Sequence, residues 1–446
     1  GDIHPGDLFI MNDPYAGGMH LPDVFIFKPI YYNEERLAFA ATVCHHVDVG
    51  GRVPGSNASD STEIYQEGLR IPPTKLYARG ERNETLWRLI EANVRLPVQI
   101  FGDLRAQLAA CRIAENQFTE LVGHYGVEVT KHYMQAVIDY AERMARAAIR
   151  HLPDGAFCFE DWIDDDGIDR GRPIRLKCTV SKKGDGLFVD WSGTALQVKG
   201  AINCTLSFTK AVSYAAIRSV LGGEIPCNEG LFRTIEVTAP EGCIANMTPP
   251  AACAARGLTG FRMGDCLFGA LAMMLPDRVF AASDGGNTCV SIGGYTAERK
   301  PFIFVDFTCG SWGGRPWADG VQGNSNMFAN MACQSVEVVE AENPLQVNVF
   351  EFMTDRAGAG KYRSGVPYRR DFRLLEEEAV LQVRSDRRVI RAYGLYGGRA
   401  GKPSDNILNP ESDPLSLDSK LIMTLRRGDV FRHEWPGGGG WGDPLE

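Results

Sequence analysis

The opening of the chain alternates apolar and polar residues with a period of two. This predicts strands over Asp7–Met11, Val24–Tyr32 and Leu37–His46. In the third, Phe39, Ala41, Val43 and His45 fall on one face, and Ala40, Thr42, Cys44 and His46 on the other. The pleat therefore sends His45 and His46 to opposite sides. From Thr85 to Leu152 the period lengthens. Tyr133, Val137, Tyr140, Met144 and Ala148 recur at helical spacing, and Leu104, Leu108, Cys111, Phe118 and Val122 do so approximately. Pro97 and Gly123 are expected to cut this helical region, and Asp103, just after Gly102, reads as an N-cap, with a site role for Asp103 or Arg105 as the alternative. Beyond Pro153 the period returns to two. Ile174, Leu176, Cys178 and Val180 alternate, a turn follows at SKKGDG, and Leu187, Val189 and Trp191 alternate back as a hairpin. Helices are predicted over Thr209–Leu221 and Arg262–Met274, among short strands and glycine-rich turns, with a polar loop over Pro403–Pro414. The pattern describes an α+β chain: a strand-rich N-terminal metal-binding module (1–84), a helical subdomain (85–152) and a large mixed, β-rich remainder (153–446).

Composition narrows the classes. The 446 residues are 44% hydrophobic, enough for a large core, and the net charge is -9 with no basic run, which argues against nucleic acid as a partner. Apolar runs such as the one from Leu267 fall short of the roughly 20 residues of a membrane-spanning helix, so no membrane association is expected. The twelve cysteines lie scattered in apolar segments without a C-x-x-C pair. Cys44, Cys178, Cys204 and Cys266 read as small buried hydrophobes, and the chain as a cytoplasmic protein with reduced thiols.

Three of the eight histidines fall between Gly6 and Gly51, with Asp13, Asp23 and Asp48 interleaved. His20 and Asp23 flank Leu21-Pro22, and the proline favours a tight loop over a continuing helix. Such a loop between two strands can set an imidazole and a carboxylate beside a histidine at the end of the second strand. Imidazole with carboxylate suits Zn2+, Mn2+ or Fe2+. One of His45 and His46 is expected to ligate. His46 or Asp48 could move a proton, and Asp48 could orient an imidazole. Other chemistry is poorly represented. DRAGAGKYR places Asp355 and Tyr362 where a phosphate-binding loop needs Gly and Ser or Thr, so Gly358, Gly360 and Lys361 read as a turn, and G-x-S-x-G is absent. Arg256, Arg315 and Asp319 sit in loops where an arginine could clamp an oxyanion.

NDPYAGGMHLPDV followed by HHVDVGG resembles the signature of the hydantoinase B/5-oxoprolinase family. The resemblance continues through NVRLPVQIFGDLRAQLAA, DWSGTALQVKGAINC, APEGCIANMTPPAACAARGLTGFRMGDCLFGAL, GAGKYRSG and WPGGGGWGDP. It implies a divalent metal, Zn2+ or Mn2+ or else Fe2+, on His20, Asp23 and His45, His45 being favoured over His46. A segment ahead of Gly1 is expected to add a further carboxylate. The resemblance also implies a hetero-oligomer with an A-type ATPase subunit that holds ATP and Mg2+. The implied activity is ATP-dependent opening of a five-membered cyclic imide or lactam through a phosphorylated intermediate. The same motifs fit the alpha-type subunit of an acetone- or acetophenone-like carboxylase, or a non-catalytic scaffold with a structural metal.

Overall fold

A computed structural model of the chain describes residues 2–307, 310–324, 326–329 and 331–446. The chain opens with β1 (Leu8–Met11), β2 (Asp23–Tyr32), β3 (Glu35–His45), β4 (Thr74–Ala78) and β5 (Glu81–Arg82), one antiparallel sheet in the order β3-β2-β1-β4-β5. Three helices follow: α1 (Glu84–Asn93), α2 (Pro97–Tyr125) and α3 (Val127–Arg150). The apolar stripe of α1 and α2 covers one face of the sheet. Ile10, Val24, Ile26 and Leu76 from the strands form one core with Trp87, Ile90, Ile100, Leu104 and Cys111 from the helices.

Two local expectations in the helical region change. Pro97 is the first residue of α2, where its missing N–H costs nothing, so Asp103 lies within the first turns of the helix and is not its N-cap. The helix continues through Gly123 and breaks at Gly126, whose φ of 83° ends the helical path.

The remainder begins with β6 (Gly155–Ile163), β7 (Ile174–Lys183) and β8 (Gly186–Asp190), then α4 (Leu206–Leu221), α5 (Glu229–Phe232) and β9 (Ile235–Thr238). These strands form a sheet in the order β6-β7-β8-β9. The predicted hairpin is β7-β8, pairing Val180 with Val189, and its alternating residues are buried. Helix α6 (Arg256–Met274) packs on this sheet and is buried at every residue but Met273, as expected of a helix apolar on most sides. The chain continues with β10 (Cys289–Tyr295), β11 (Pro301–Phe307), α7 (Val336–Glu342), β12 (Leu345–Phe352), β13 (Tyr368–Leu374), β14 (Glu378–Arg384), β15 (Asp405–Leu408), β16 (Leu415–Leu417), β17 (Lys420–Arg426) and β18 (Val430–Glu434). They make two sheets, β11-β10-β14-β17 and β12-β13-β18-β15-β16. Val290, Phe304, Phe372, Leu381 and Phe431 from both sheets share one core, the arrangement of a sandwich. The architecture is α+β throughout. Among the described residues no helix is long and apolar enough to cross a membrane. The eleven described cysteines form no disulfide.

Candidate metal centre

The β2-β3 ladder places Asp23, the first residue of β2, directly opposite His45, the last of β3. The loop before β2 folds His20 back over this pair. The His20 carbonyl accepts the Asp23 N–H at 3.1 Å, and the Pro22 carbonyl accepts the His46 N–H at 2.8 Å. Asn12 braces the same loop, its amide donating to the Leu21 and Leu69 carbonyls at 2.8 and 2.9 Å. Asp13 is a turn cap, accepting the Tyr15 N–H at 3.0 Å.

Three side chains converge. His20 Nδ1 lies 2.7 Å from Asp23 Oδ2, and His20 Nε2 lies 3.1 Å from His45 Nε2. Burial works to raise the Asp23 pKa, but His20 and Arg256 beside it hold the carboxyl well below the usual range. The ionised carboxylate can only accept, so His20 Nδ1 is the donor and its Nε2 presents a lone pair toward His45. Burial, with Arg256 adding to it, lowers His20 to about 3. The surrounding protein, with Arg256 and Arg384, lowers His45 to about 4, although its outer edge opens to a cavity. Both imidazoles are therefore neutral near pH 7, the form that ligates a metal. A 3.1 Å separation suits two nitrogens each about 2.0–2.1 Å from one ion. The donor set fits a borderline divalent cation, with Asp23 either orienting His20 through Oδ2 or ligating through its other oxygen.

Arg256, at the start of α6, donates to Asp23 Oδ2 at 2.7 Å and lies over the Phe208 ring. Phe307, at the end of β11, packs edge-on against His45 with centroids 5.3 Å apart. A cavity of about 400 Å3 opens beside it, lined by His45, Val47, Gln99, Asp103, Val305 and Phe307.

The structure does not bring His46 and Asp48 to this group. His46 points to the α2 side of β3, as the pleat requires, and its Nε2 meets Gln107 Oε1 at 3.1 Å. Asp48 is fully buried but orients no imidazole. Its carboxylate accepts from the Arg95 backbone and guanidinium at 2.8 and 2.9 Å and from the Gly50 and Gly55 N–H groups, which organises the 48–56 loop. Arg315 is also elsewhere, its guanidinium donating to the Asp319 carbonyl. Sequence reading missed Phe307 and Arg384. Phe307 looks like any strand residue, and nothing local marks Arg384, a buried arginine that donates to Asn57 and to the Ala254 and Asn287 carbonyls.

In this α+β chain, His20, His45 and Asp23 gather at a strand end beside an open cavity as a donor set that could hold a divalent metal. The model of the hydantoinase B/oxoprolinase family matches residues 1–444, and the chain belongs to that family. It is 32% identical to the B subunit of a putative D-/L-hydantoinase of Pseudomonas sp. (strain NS671), over 100% of this chain and 77% of that protein. The crystal structure of the ATP-dependent caprolactamase from Pseudomonas jessenii matches with a TM-score of 0.94 at 28% identity, covering 100% of this chain and 78% of that one. A nucleotide-free acetone carboxylase structure matches with a TM-score of 0.92 over 99% of this chain and 66% of that one. At 17% identity this likeness shows the fold alone.

Proposed function

We propose that this chain is the metal-bearing B-type subunit of an ATP-dependent cyclic amidohydrolase of the N-methylhydantoinase or 5-oxoprolinase kind, working in the cytoplasm. The observation that carries the reading is the convergence of His20 Nε2 and His45 Nε2 at 3.1 Å, with Asp23 on the outer nitrogen of His20, at the wall of a cavity of about 400 Å3. Family membership and the likeness to a putative hydantoinase and to a caprolactamase support it.

A Zn2+, Mn2+ or Fe2+ ion held by His20, His45 and Asp23 would supply Lewis acidity and lower the pKa of water. The chain's own groups do the rest. Asp23 holds the His20 tautomer, and Arg256 holds Asp23 in place. Phe307 shields one side of His45 from water. A partner A-type subunit, holding ATP and Mg2+, phosphorylates the amide oxygen of a five-membered cyclic imide or lactam. This activation is needed because an amide carbon is a poor electrophile. Water adds to that carbon, the ring C–N bond of the adduct breaks as the nitrogen takes up a proton, and a second water cleaves the resulting acyl phosphate to carboxylate and inorganic phosphate. His46 and Asp48 lie away from the three ligands, bonded to Gln107 and Arg95, so this reading gives them no proton transfer.

The test is metal content by elemental analysis alongside ATP-dependent ring opening of N-methylhydantoin and 5-oxoproline, in the wild type and in His20→Ala and His45→Ala. Near-stoichiometric metal lost together with activity is the expected result. Metal-free protein that still turns over would refute the reading. Formation of a 3-oxo acid from a ketone and bicarbonate would move the chain to the carboxylases.

A further inference from the structure

The face of β3 opposite His45 carries a second set of ligand-type side chains. Cys44 lies in β3 and His46 is the residue just past its end, two positions on, so the extended backbone carries both toward α2. Asp103 reaches them from α2. A ring nitrogen of His46, Cys44 Sγ and an Asp103 carboxylate oxygen all lie within 4.8 Å of one another.

The hydrogen bonding around His46 leaves it ready to ligate. The Gln107 amide nitrogen donates to the Val24 carbonyl at 2.9 Å and toward Thr42 Oγ1 at 3.4 Å, which fixes the amide orientation. Gln107 Oε1 is then the group facing His46 Nε2 at 3.1 Å, so Nε2 carries the proton and Nδ1 the lone pair. His46 Nδ1 is buried, in a residue 1% exposed, and has no hydrogen-bond partner. A buried polar atom left unpaired costs about 1–3 kcal/mol, so such atoms call for an explanation. Metal-bound histidines have this arrangement, one ring nitrogen held by an oxygen acceptor and the other free to ligate.

The geometry points to a second metal site on this chain, in which Cys44, His46 and Asp103 hold a zinc-class divalent cation on the far face of β3. Thiolate, imidazole and carboxylate together suit Zn2+ in tetrahedral coordination. Asp103 also lines the cavity that His45 lines. Binding releases the Cys44 thiol proton to water as the sulfur–metal bond forms. The site is independent of the hydrolase reading, because the first centre contains no sulfur.

That difference supplies the test. The protein as purified, with any partner that copurifies, is stripped of metal and titrated with Co2+. The near-ultraviolet thiolate-to-cobalt charge-transfer band reports sulfur ligation. We expect two equivalents of Co2+ and a thiolate band that disappears in Cys44→Ser, weakens at least tenfold in cobalt affinity in Asp103→Asn, and persists in His20→Ala. Cys44 and Asp103 are half-buried, so both substitutions fit without repacking, and far-ultraviolet circular dichroism confirms the fold. Absence of a thiolate band at saturating Co2+, or a band unchanged in Cys44→Ser, would overturn the proposal. Loss of ring opening in His20→Ala with the thiolate band intact would leave both readings standing; persistent ring opening in that variant would remove only the hydrolase reading.

Discussion

Asp23 links the candidate centre to the rest of the chain, since one oxygen receives both His20 Nδ1–H and the Arg256 guanidinium. Replacing it with Asn removes the charge that fixes the His20 tautomer. Asp23→Asn is expected to lower metal affinity by about 10–100-fold, read by competitive chelator titration. Glu67 illustrates a different residue-scale effect. It is buried, accepts the Cys253 and Ala254 N–H groups at 2.8 Å, and burial raises its pKa from 4.5 to about 8. Because the folded pKa lies above the unfolded one, its contribution is fully present below about pH 4.5 and is lost as pH rises toward 8. Glu67→Gln keeps an acceptor for both N–H groups and cannot ionise. The melting temperature of the variant should therefore gain on the wild type as pH rises through this window and level off above it. A constant difference across the window would show that Glu67 does not titrate there.

At the scale of elements, the packing of glycines separates two helices that look alike in sequence. In α6, a Cβ on Gly264 would collide with the Phe328 ring, and one on Gly260 with the Phe208 ring. Gly264→Ala is expected to destabilise the protein by about 1–3 kcal/mol through overpacking. Gly102, in α2, has nothing within 4 Å of its would-be Cβ. Gly102→Ala should stabilise by roughly 0.5–1 kcal/mol, since alanine loses less backbone entropy in a helix. Urea denaturation of the two variants checks both signs. Strands β1, β2 and β3 and the β7-β8 hairpin were legible because one buried face imposes a period of two, whereas the short β4 and β5 were not. The ends of α2 were not. A glycine inside a helix and a glycine that ends one look the same until φ is known, and it is Gly126, not Gly123, that takes a positive value. The polar loop expected over Pro403–Pro414 contains β15, whose Asn406 is buried and paired with His433 on β18. Polarity concealed a strand that buries its side chain in hydrogen bonds rather than in apolar contact.

At the scale of the molecule, α6 is joined to the sandwich by buried charge. Arg262 and Lys420 both reach Asp386, and Arg387 reaches Asp161 and Asp265. Asp386→Ala leaves Arg262 and Lys420 without that carboxylate and should cost about 3–5 kcal/mol, measured by chemical denaturation. None of these pairings follows from spacing along the chain, because their members come from segments more than a hundred residues apart for Arg262 and Asp386. The same holds for the centre. The α+β class and the opposed faces of His45 and His46 were readable from the order of residues, while the choice of His45 to join His20 and Asp23 came from the family resemblance. Strand periodicity and a two-strand ladder are local rules that operate over a few tens of residues. The roles of Arg256, Phe307, Asp103 and Asp48 depended on which distant elements pack against β3. That packing reflects how several sheets and helices bury their apolar faces together, a property of the folded whole that no short window of sequence contains.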